Sequence, residues 1–252
     1  MSLDPKEPIG VIVLPAYCET QSIADLLLEL DVAVPSNWHF LVVDDSPTES
    51  TTNYVNRTFS SLSRESSNLH ILRNLTKSGR GAAVQRGFQY AANYIAGTLD
   101  FFIEMDSDGS HTAASVNKMI SAPKANDFVI GSRYLNSSSI SGWPLFRRFF
   151  SKSLNFFLRK TFKVPIFDWT NGLRRYSMRA VQIQLEHEFK NDGFICLSEQ
   201  IMLLLKNGIS PIEIPITFVN RTHGSGSVTT HELYKSLRGI LGLWMKSKIR
   251  TQ

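Results

Sequence analysis

Two aspartates separated by a single residue are the side chains of this sequence best suited to hold a divalent cation. Asp106 and Asp108 follow an apolar run, and alternate residues of an extended segment point to the same side, so both carboxylates can reach one site. Mg²⁺ and Mn²⁺ prefer a few carboxylate oxygens together with the oxygens of a bound diphosphate. Alone, the pair could equally be two solvated turn residues before Gly109. The pair predicts a metal site and a diphosphate leaving group if other polar loops lie next to it in the folded chain.

Polar residues also end two earlier apolar runs. Residues 9–14 lead into a polar stretch at 15–19, and residues 39–43 lead into Asp44 and Asp45. One of these two carboxylates could accept hydrogen bonds from a ribose or a base, while the other caps the next turn. The sequence leaves open which of the two does which.

The elements that must position these residues alternate between strands and helices. Further apolar runs at 69–73, 99–106 and 127–133 predict strands, and apolar residues at helical spacing predict helices at 21–30 and 82–95. This alternation predicts a single α/β domain with a mostly parallel central sheet and helices on both faces. Ligands of such sheets bind beyond the carboxyl ends of the strands, which is where the three polar loops fall. We therefore expect a nucleotide-binding crevice there.

A glycine-containing loop precedes the second predicted helix. Residues 77–81 read KSGRG and could place backbone N–H groups or cations beside phosphates. They lack both the Walker pattern and the glycine spacing of dinucleotide-binding motifs. The common nucleoside triphosphatases and nicotinamide-dependent dehydrogenases are therefore excluded.

The net charge of +5 has its source in one segment. Residues 133–167 contain no Asp or Glu, and their cations are Arg133, Arg147, Arg148, Lys152, Arg159, Lys160 and Lys163. Aromatic residues alternate with these cations, and burying so many charges without an acid would be costly. We therefore expect one face of this segment to be open to an anionic, apolar partner. A lipid phosphate and single-stranded nucleic acid both have that chemistry.

Composition and the chain ends indicate where the protein works. The chain of 252 residues is 42% hydrophobic and 19% charged, as in ordinary folded domains, and Cys18 and Cys196 are its only cysteines, which favours a reducing compartment. We see no secretory signal and no stretch long enough to span a membrane, and the cysteine-poor chain is expected to be cytoplasmic with peripheral membrane contact. Residues 229–252 predict a basic amphipathic helix after an α/β domain at 1–228, in which the segment 133–163 is expected to bind the anionic partner.

Five motifs occur together in the order of a known family: Pro15-Ala16-Tyr17-Cys18-Glu19, Asp44-Asp45-Ser46, Asp106-Ser107-Asp108, Gly131-Ser132-Arg133-Tyr134, and Gly142-Trp143-Pro144 followed by Arg147-Arg148. On these motifs the chain resembles the dolichol-phosphate mannose synthases over nearly its whole length. These are inverting enzymes of glycosyltransferase family 2 with the Rossmann-like GT-A fold. The resemblance implies a metal-dependent hexosyltransferase that uses Mg²⁺ or Mn²⁺ and moves mannose from GDP-mannose to a polyprenyl phosphate at the cytosolic face of a membrane.

The resemblance also implies which residues form the site. Those for the nucleotide-sugar are Pro15, Tyr17, Glu19, Val43, Asp45, Asp106, Ser107, Asp108, Ser110, Arg221 and Ser227. The metal is assigned to Asp106 and Asp108, and the acceptor phosphate to Arg133, Arg147 and Ser151. The residues expected to act in catalysis are Asp108, Arg133, Arg147 and Arg221.

Departures from the family pattern keep alternatives open. Family members carry a lysine where this chain has Ser227, and residues 110–114 also differ, so UDP-glucose or UDP-N-acetylglucosamine is the main rival to GDP-mannose as donor. Two other functions are compatible with the sequence. One is a protein that binds nucleotide-sugar without transferring the sugar, and the other is a nucleic-acid-binding module built on the basic segment. We favour the enzyme, and we expect a lipid acceptor and small membrane subunits as its partners but no nucleic acid.

Overall fold

The computed structural model describes residues 8–74, 76–95, 99–189 and 194–220. The strands are β1 (Gly10–Ala16), β2 (His39–Asp44), β3 (Leu69–Arg73), β4 (Phe101–Glu104), β5 (Phe128–Ser132), β6 (Ser139–Ile140), β7 (Arg174–Ser177), β8 (Ile212–Pro215) and β9 (Thr217–Phe218). The α-helices are α1 (Gln21–Ala33), α2 (Ser50–Phe59), α3 (Arg80–Tyr94), α4 (Ala113–Ile120), α5 (Leu145–Phe162), α6 (Met178–Leu185) and α7 (Phe194–Lys206).

Seven of these strands form the central sheet, in the order β3-β2-β1-β4-β7-β5-β8. All neighbouring pairs are parallel except those of β7, which runs antiparallel to β4 and β5. Apolar side chains cover both faces of the sheet, one cluster including Leu27 of α1 and Val116 of α4, the other Phe88 of α3 and Val181 of α6. The predicted α/β class, with a mostly parallel sheet and helices on both faces, is confirmed.

Strand β7 was not predicted, because its sequence RRYS does not read as a buried strand. The side chains of Arg174 and Arg175 are nevertheless fully buried. Backbone carbonyl oxygens are their main acceptors: Arg175 donates to Ala122 at 2.7 Å, and Arg174 donates to Leu197 at 2.7 Å. A buried guanidinium is tolerated where strong acceptors surround it, and a hydrophobicity pattern does not reveal such an arrangement.

Helix α5 lies in the acid-free segment and leaves one side open to solvent. Among its residues only Asn155 and Leu158 are buried. Its exposed apolar residues, called here the aromatic face, are Leu145, Phe146, Phe149, Phe150, Phe156 and Phe157. Phe146 is 80% exposed and Phe149 72%. The expectation of an open face is confirmed. No helix within the described ranges has both the length and the apolar character needed to cross a bilayer.

The pH dependence of stability should come partly from a histidine pair on the outer strands. His39 Nδ1 lies 3.1 Å from His70 Nε2, and burial, together with the neighbouring His70 and Arg64, lowers the pKa of His39 to about 4 from its ordinary 6.5. Because the folded state binds the proton more weakly than the unfolded chain, we expect the contribution to the free energy of unfolding to be complete above pH 6.5. It should fall as the pH drops towards 4, and the loss for His39 should reach roughly 2 kcal/mol at about pH 5.

Urea unfolding at pH 7.5 and pH 5 measures this effect. The variant His39→Phe should lose less stability between the two pH values than the wild type does. Identical losses in the two proteins would contradict the assignment.

Candidate active site

Polar loops after β1, β2 and β4 meet around a cavity of about 240 Å³ at one end of the sheet. This is the carboxyl end, because the three strands are parallel neighbours. The cavity is lined by seven of the residues predicted for the nucleotide-sugar: Pro15, Tyr17, Glu19, Asp45, Asp106, Ser107 and Asp108. The loop before α3 adds Lys77, Gly79 and Arg80. Lys77 Nζ lies 3.8 Å from the centre of the Tyr17 ring, so a cation and an aromatic surface meet in the cavity.

The two aspartates after β2 have different structural roles. Asp44 holds the turn into α2, since its carboxylate accepts the backbone N–H of Ser46 at 2.9 Å and the hydroxyl of Thr52 at 2.6 Å. Asp45 accepts the backbone N–H groups of Ser78 and Gly79, both at 3.0 Å. Asp45 therefore lines the cavity and at the same time fixes the loop that leads into α3. Its contact with the nucleoside stays a prediction.

Arg80 is the main partner of Asp106. Its Nε donates to Asp106 Oδ1 at 2.7 Å, its Nη1 pairs with Glu104 at 3.2 Å, and its Nη2 donates to the carbonyl of Gly172 at 3.2 Å. Burial alone would raise the pKa of Asp106, but the charge of Arg80 lowers it well below its ordinary range, so the carboxylate is ionised. A Cβ at position 172 would lie 2.5 Å from Arg80 Nη2 and 2.9 Å from Asp106 Oδ2, so a side chain there would require both groups to shift.

The donor set fits Mg²⁺ or Mn²⁺ shared with a diphosphate. Asp106 and Asp108 both line the cavity, and each can offer hard carboxylate oxygens. His111 Nε2 lies 3.8 Å from Asp106 Oδ2, which is too far for a hydrogen bond. Within the described part of the chain no three His, Cys, Asp or Glu residues form a metal cluster. A cation here would therefore need the oxygens of the diphosphate and of water to complete its coordination.

A second cluster contains the residues predicted for the acceptor phosphate. Arg133 is buried and forms a bidentate ion pair with Asp168, with Nε–Oδ2 and Nη2–Oδ1 distances of 2.8 Å each. Burial opposes the charge of Arg133, but Asp168 and, less strongly, Asp106 raise the pKa of its guanidinium above the ordinary value. Ser151 Oγ accepts a hydrogen bond from the hydroxyl of Tyr134 at 2.6 Å, which ties α5 to the residue after Arg133. The guanidinium of Arg133 is thus held in place by Asp168 and is not exposed on the surface.

Aromatic rings connect this cluster to the cavity. The ring of Phe218 contacts His111, the neighbour of Asp106, and Trp143, each at 5.1 Å between centroids. The guanidinium of Arg147 lies 4.1 Å from the centre of the Trp143 ring, and that of Arg133 lies 5.4 Å from it. The residues predicted for donor and acceptor therefore belong to one continuous set of contacts.

Other predicted residues lie elsewhere. Val43 is fully buried in the core and faces α3, where it closely approaches Gly87, so only its backbone remains for a ligand. The side chain of Ser110 is buried, and its backbone N–H donates to Asp108 at 3.0 Å. Arg221, Ser227 and the helix predicted at 229–252 lie outside the described residues.

Sequence reasoning did not assign Arg80, Glu104, His111 and Asp168. For Asp168 a signal existed, because it is the first acid after the acid-free segment and the arginines there need a counter-charge. For Arg80 the KSGRG loop was expected to offer cations to phosphates, but nothing in its spacing indicated a carboxylate of β4 as the partner. His111 gave no signal of its own.

The model of the family "Glycosyl transferase family 2" matches residues 11–182, which is more than half of the chain. The matched part contains all three aspartates of the cavity and the whole of α5.

Three relatives share 28% sequence identity with this chain. They are a polyprenol monophosphomannose synthase of Mycolicibacterium smegmatis (89% of this chain, 84% of the relative), an undecaprenyl-phosphate mannosyltransferase of Micrococcus luteus (86% of each), and a dolichol-phosphate mannosyltransferase of Pyrococcus furiosus (92% of this chain, 62% of the relative).

Solved structures share the fold at lower identity. Glucosyl-3-phosphoglycerate synthase of Mycobacterium tuberculosis, in complex with Mn²⁺, UDP and glucosyl-3-phosphoglycerate, superposes with a TM-score of 0.63 at 16% identity, covering 95% of this chain and 80% of that one. The mannosyltransferase PcManGT of Pyrobaculum calidifontis, in complex with GDP-Man and Mn²⁺, gives 0.60 at 17% identity, covering 98% and 66%. These similarities support the fold.

Proposed function

We propose that this chain, which belongs to glycosyl transferase family 2, transfers mannose from GDP-mannose to a polyprenyl phosphate. The observation that carries the proposal is the continuity between the cavity of Asp106 and Asp108 and the cluster of Arg133, Arg147 and Ser151. It supports a site for the donor diphosphate that lies beside cations suited to a phosphate acceptor. Three relatives at 28% identity support it, because their names describe the transfer of mannose to a polyprenyl phosphate or the synthesis of the mannosylated lipid.

The proposed chemistry needs alignment more than proton transfer. A phosphate monoester is anionic at neutral pH, so the attacking oxygen needs little help from a general base. A divalent cation held by Asp106 and Asp108 would neutralise the leaving diphosphate. The chain itself aligns the acceptor oxygen behind the anomeric carbon, and in-line attack from there inverts the configuration at that carbon.

Arg133 and Arg147 would contribute to that alignment in different ways. Asp168 and Thr170 occupy Nε and Nη2 of Arg133. Direct contact of Arg133 with the acceptor would use its remaining nitrogen, Nη1. Arg147 is half-buried against Trp143 on the first turn of α5 and can present a planar fork to a phosphate. Both residues therefore supply charge from fixed positions.

The aromatic face of α5 is proposed to contact the membrane that carries the acceptor. Lys152 and Lys160 are exposed on the same helix, and rings flanked by cations suit the boundary between headgroups and acyl chains of an anionic bilayer. Membrane binding should therefore weaken in the double variant Phe146→Ser/Phe149→Ser. We expect a loss of roughly tenfold in affinity for vesicles with 30% anionic lipid, measured by sedimentation.

The control is Tyr94→Ser, since Tyr94 is 73% exposed on α3. It should bind vesicles as the wild type does. Equal weakening in both proteins would mean that α5 is not the contact.

The donor can be identified by thermal shift. A ligand that binds only the folded protein raises the melting temperature, so we expect GDP-mannose with Mn²⁺ to raise it more than UDP-glucose or UDP-N-acetylglucosamine. A larger shift with a UDP-sugar would still support sugar transfer, but it would show that the donor is that UDP-sugar and not GDP-mannose. No shift with any of the three would count against the proposed donor site.

A further inference from the structure

We propose that Arg80 is a built-in counter-ion of the metal-site aspartate Asp106, which weakens binding of a divalent cation until the donor diphosphate is present. The inference rests on the proposed function, because it takes Asp106 as a metal ligand. It concerns the pairing of Arg80 with Asp106, which neither the sequence motifs nor the relatives' names indicate. Its consequence is that metal and nucleotide bind together rather than one after the other.

The position of Arg80 makes it a competitor for the metal. Its Nε–H donates to Asp106 Oδ1 at 2.7 Å, so one of the two carboxylate oxygens already carries a positive partner. A divalent cation bound to the same carboxylate would feel the repulsion of a guanidinium within a few ångströms. At this distance such a repulsion changes binding by more than tenfold even at an effective dielectric constant of about 20. Repulsion should therefore outweigh any benefit from holding the carboxylate still.

The surroundings prevent Arg80 from leaving the cavity. Glu104 is completely buried, pairs with Arg80 at 3.2 Å, and accepts the hydroxyl of Tyr176 at 2.7 Å with its other oxygen. Removing Arg80 would leave this carboxylate without its cation, which is costly in the interior. The carbonyl of Gly172 binds a third guanidinium nitrogen. The cation is thus held beside Asp106 from three sides.

The same charge favours the diphosphate. Arg80 lines the cavity together with Lys77 and Gly79 at the start of α3, where the helix dipole also favours anions. A bound diphosphate brings negative charge and oxygen ligands, and both offset the repulsion between Arg80 and the metal. Each ligand should therefore raise the affinity for the other by the same factor.

Mn²⁺ binding measured by electron paramagnetic resonance of the free ion tests this without any sugar transfer. Wild type, Arg80→Met and Arg80→Lys are titrated with Mn²⁺ in the absence and presence of GDP. Without GDP, Arg80→Met should bind Mn²⁺ about tenfold more tightly than the wild type, and Arg80→Lys within about threefold of it. The factor by which GDP improves Mn²⁺ binding should be smaller in Arg80→Met than in the wild type.

Two further variants keep the test decisive. Because Arg80→Met leaves Glu104 unpaired in the core and can impair folding, the double variant Arg80→Met/Glu104→Gln removes both charges and should show the same tightening. Lys77→Met removes a different cation from the same cavity. The Lys77 ammonium lies over the ring of Tyr17 rather than beside Asp106. This variant should change the Mn²⁺ affinity without GDP by less than about threefold.

The outcomes separate this inference from the proposed function. Unchanged or weaker Mn²⁺ binding in Arg80→Met and in Arg80→Met/Glu104→Gln, with a wild type that binds Mn²⁺ and GDP, would overturn the inference alone. A wild type that binds no Mn²⁺ with or without GDP would overturn the metal site and the inference together. Tighter binding in these two variants, but not in Arg80→Lys, upholds the inference even if the sugar that is transferred proves not to be mannose.

Discussion

Replacing Asp108 by asparagine should lower kcat/KM for sugar transfer by on the order of 10³, while the fold stays intact. The asparagine keeps a side-chain oxygen that can accept the N–H of Ser110, which Asp108 binds at 3.0 Å. It removes the negative charge that would bind the cation and thereby help the diphosphate to leave. Most of the effect should therefore be on the chemical step and on metal affinity. Steady-state assays over a range of Mn²⁺ concentrations measure both.

Asp100→Asn is the matched control for this variant. Asp100 precedes β4 at the opposite end of the same segment, and its carboxylate accepts the N–H of Ile9 at 2.8 Å. We expect activity within about twofold of the wild type for this variant, since it touches no part of the cavity. If Asp108→Asn were as active as Asp100→Asn, the assignment of the metal site would be wrong.

The largest effect on stability is expected at Asp168. The variant Asp168→Ala leaves the buried guanidinium of Arg133 without its counter-charge, and it also removes the acceptor of the Arg133 backbone N–H at 2.9 Å. Breaking a buried pair in this way costs about 3–5 kcal/mol. Urea unfolding at pH 7.5 gives the free energy of unfolding, and a fall of this size would be a large fraction of the stability of a typical domain.

Asp127→Ala is the comparison for Asp168→Ala. Asp127 pairs with Arg179 at 3.0 Å, but the side chains are 32% and 61% exposed, so we expect a loss of only about 0–1 kcal/mol. A double variant, Asp168→Ala/Arg133→Met, should regain part of the stability because the unpaired charge is gone. Equal losses for Asp168→Ala and Asp127→Ala would show that Arg133 reaches solvent or another partner.

The convergence of loops around the cavity could be predicted from the sequence because it follows from local order. An apolar run followed by polar residues places those residues at a strand end, and parallel strands bring such ends together. Asp45, Asp106 and Asp108 therefore line one cavity as expected. The open face of α5 was equally predictable, since seven cations without an acid cannot all be buried at low cost.

The partners of these residues could not be predicted, because they depend on contacts between distant segments. Arg80 and Gly172 are 92 residues apart, and Arg133 and Asp168 are 35 residues apart. Which carboxylate pairs with which arginine is decided by the order of strands in the sheet, and β7 enters that sheet antiparallel between β4 and β5. The loop from Asp168 to Gly172 reaches both clusters because it leads directly into β7. The hydrophobic pattern of the sequence did not indicate this strand.

The most direct test of the proposed function is sugar transfer by the purified protein. It is incubated with GDP-mannose labelled in the sugar, a polyprenyl phosphate in detergent, and Mn²⁺, and the label is then extracted into organic solvent. We expect a labelled lipid that depends on both Mn²⁺ and Asp108, whose sugar has the inverted configuration. If GDP-mannose, UDP-glucose and UDP-N-acetylglucosamine all give no labelled lipid with a protein that binds one of them, the proposal that this chain glycosylates a polyprenyl phosphate is contradicted.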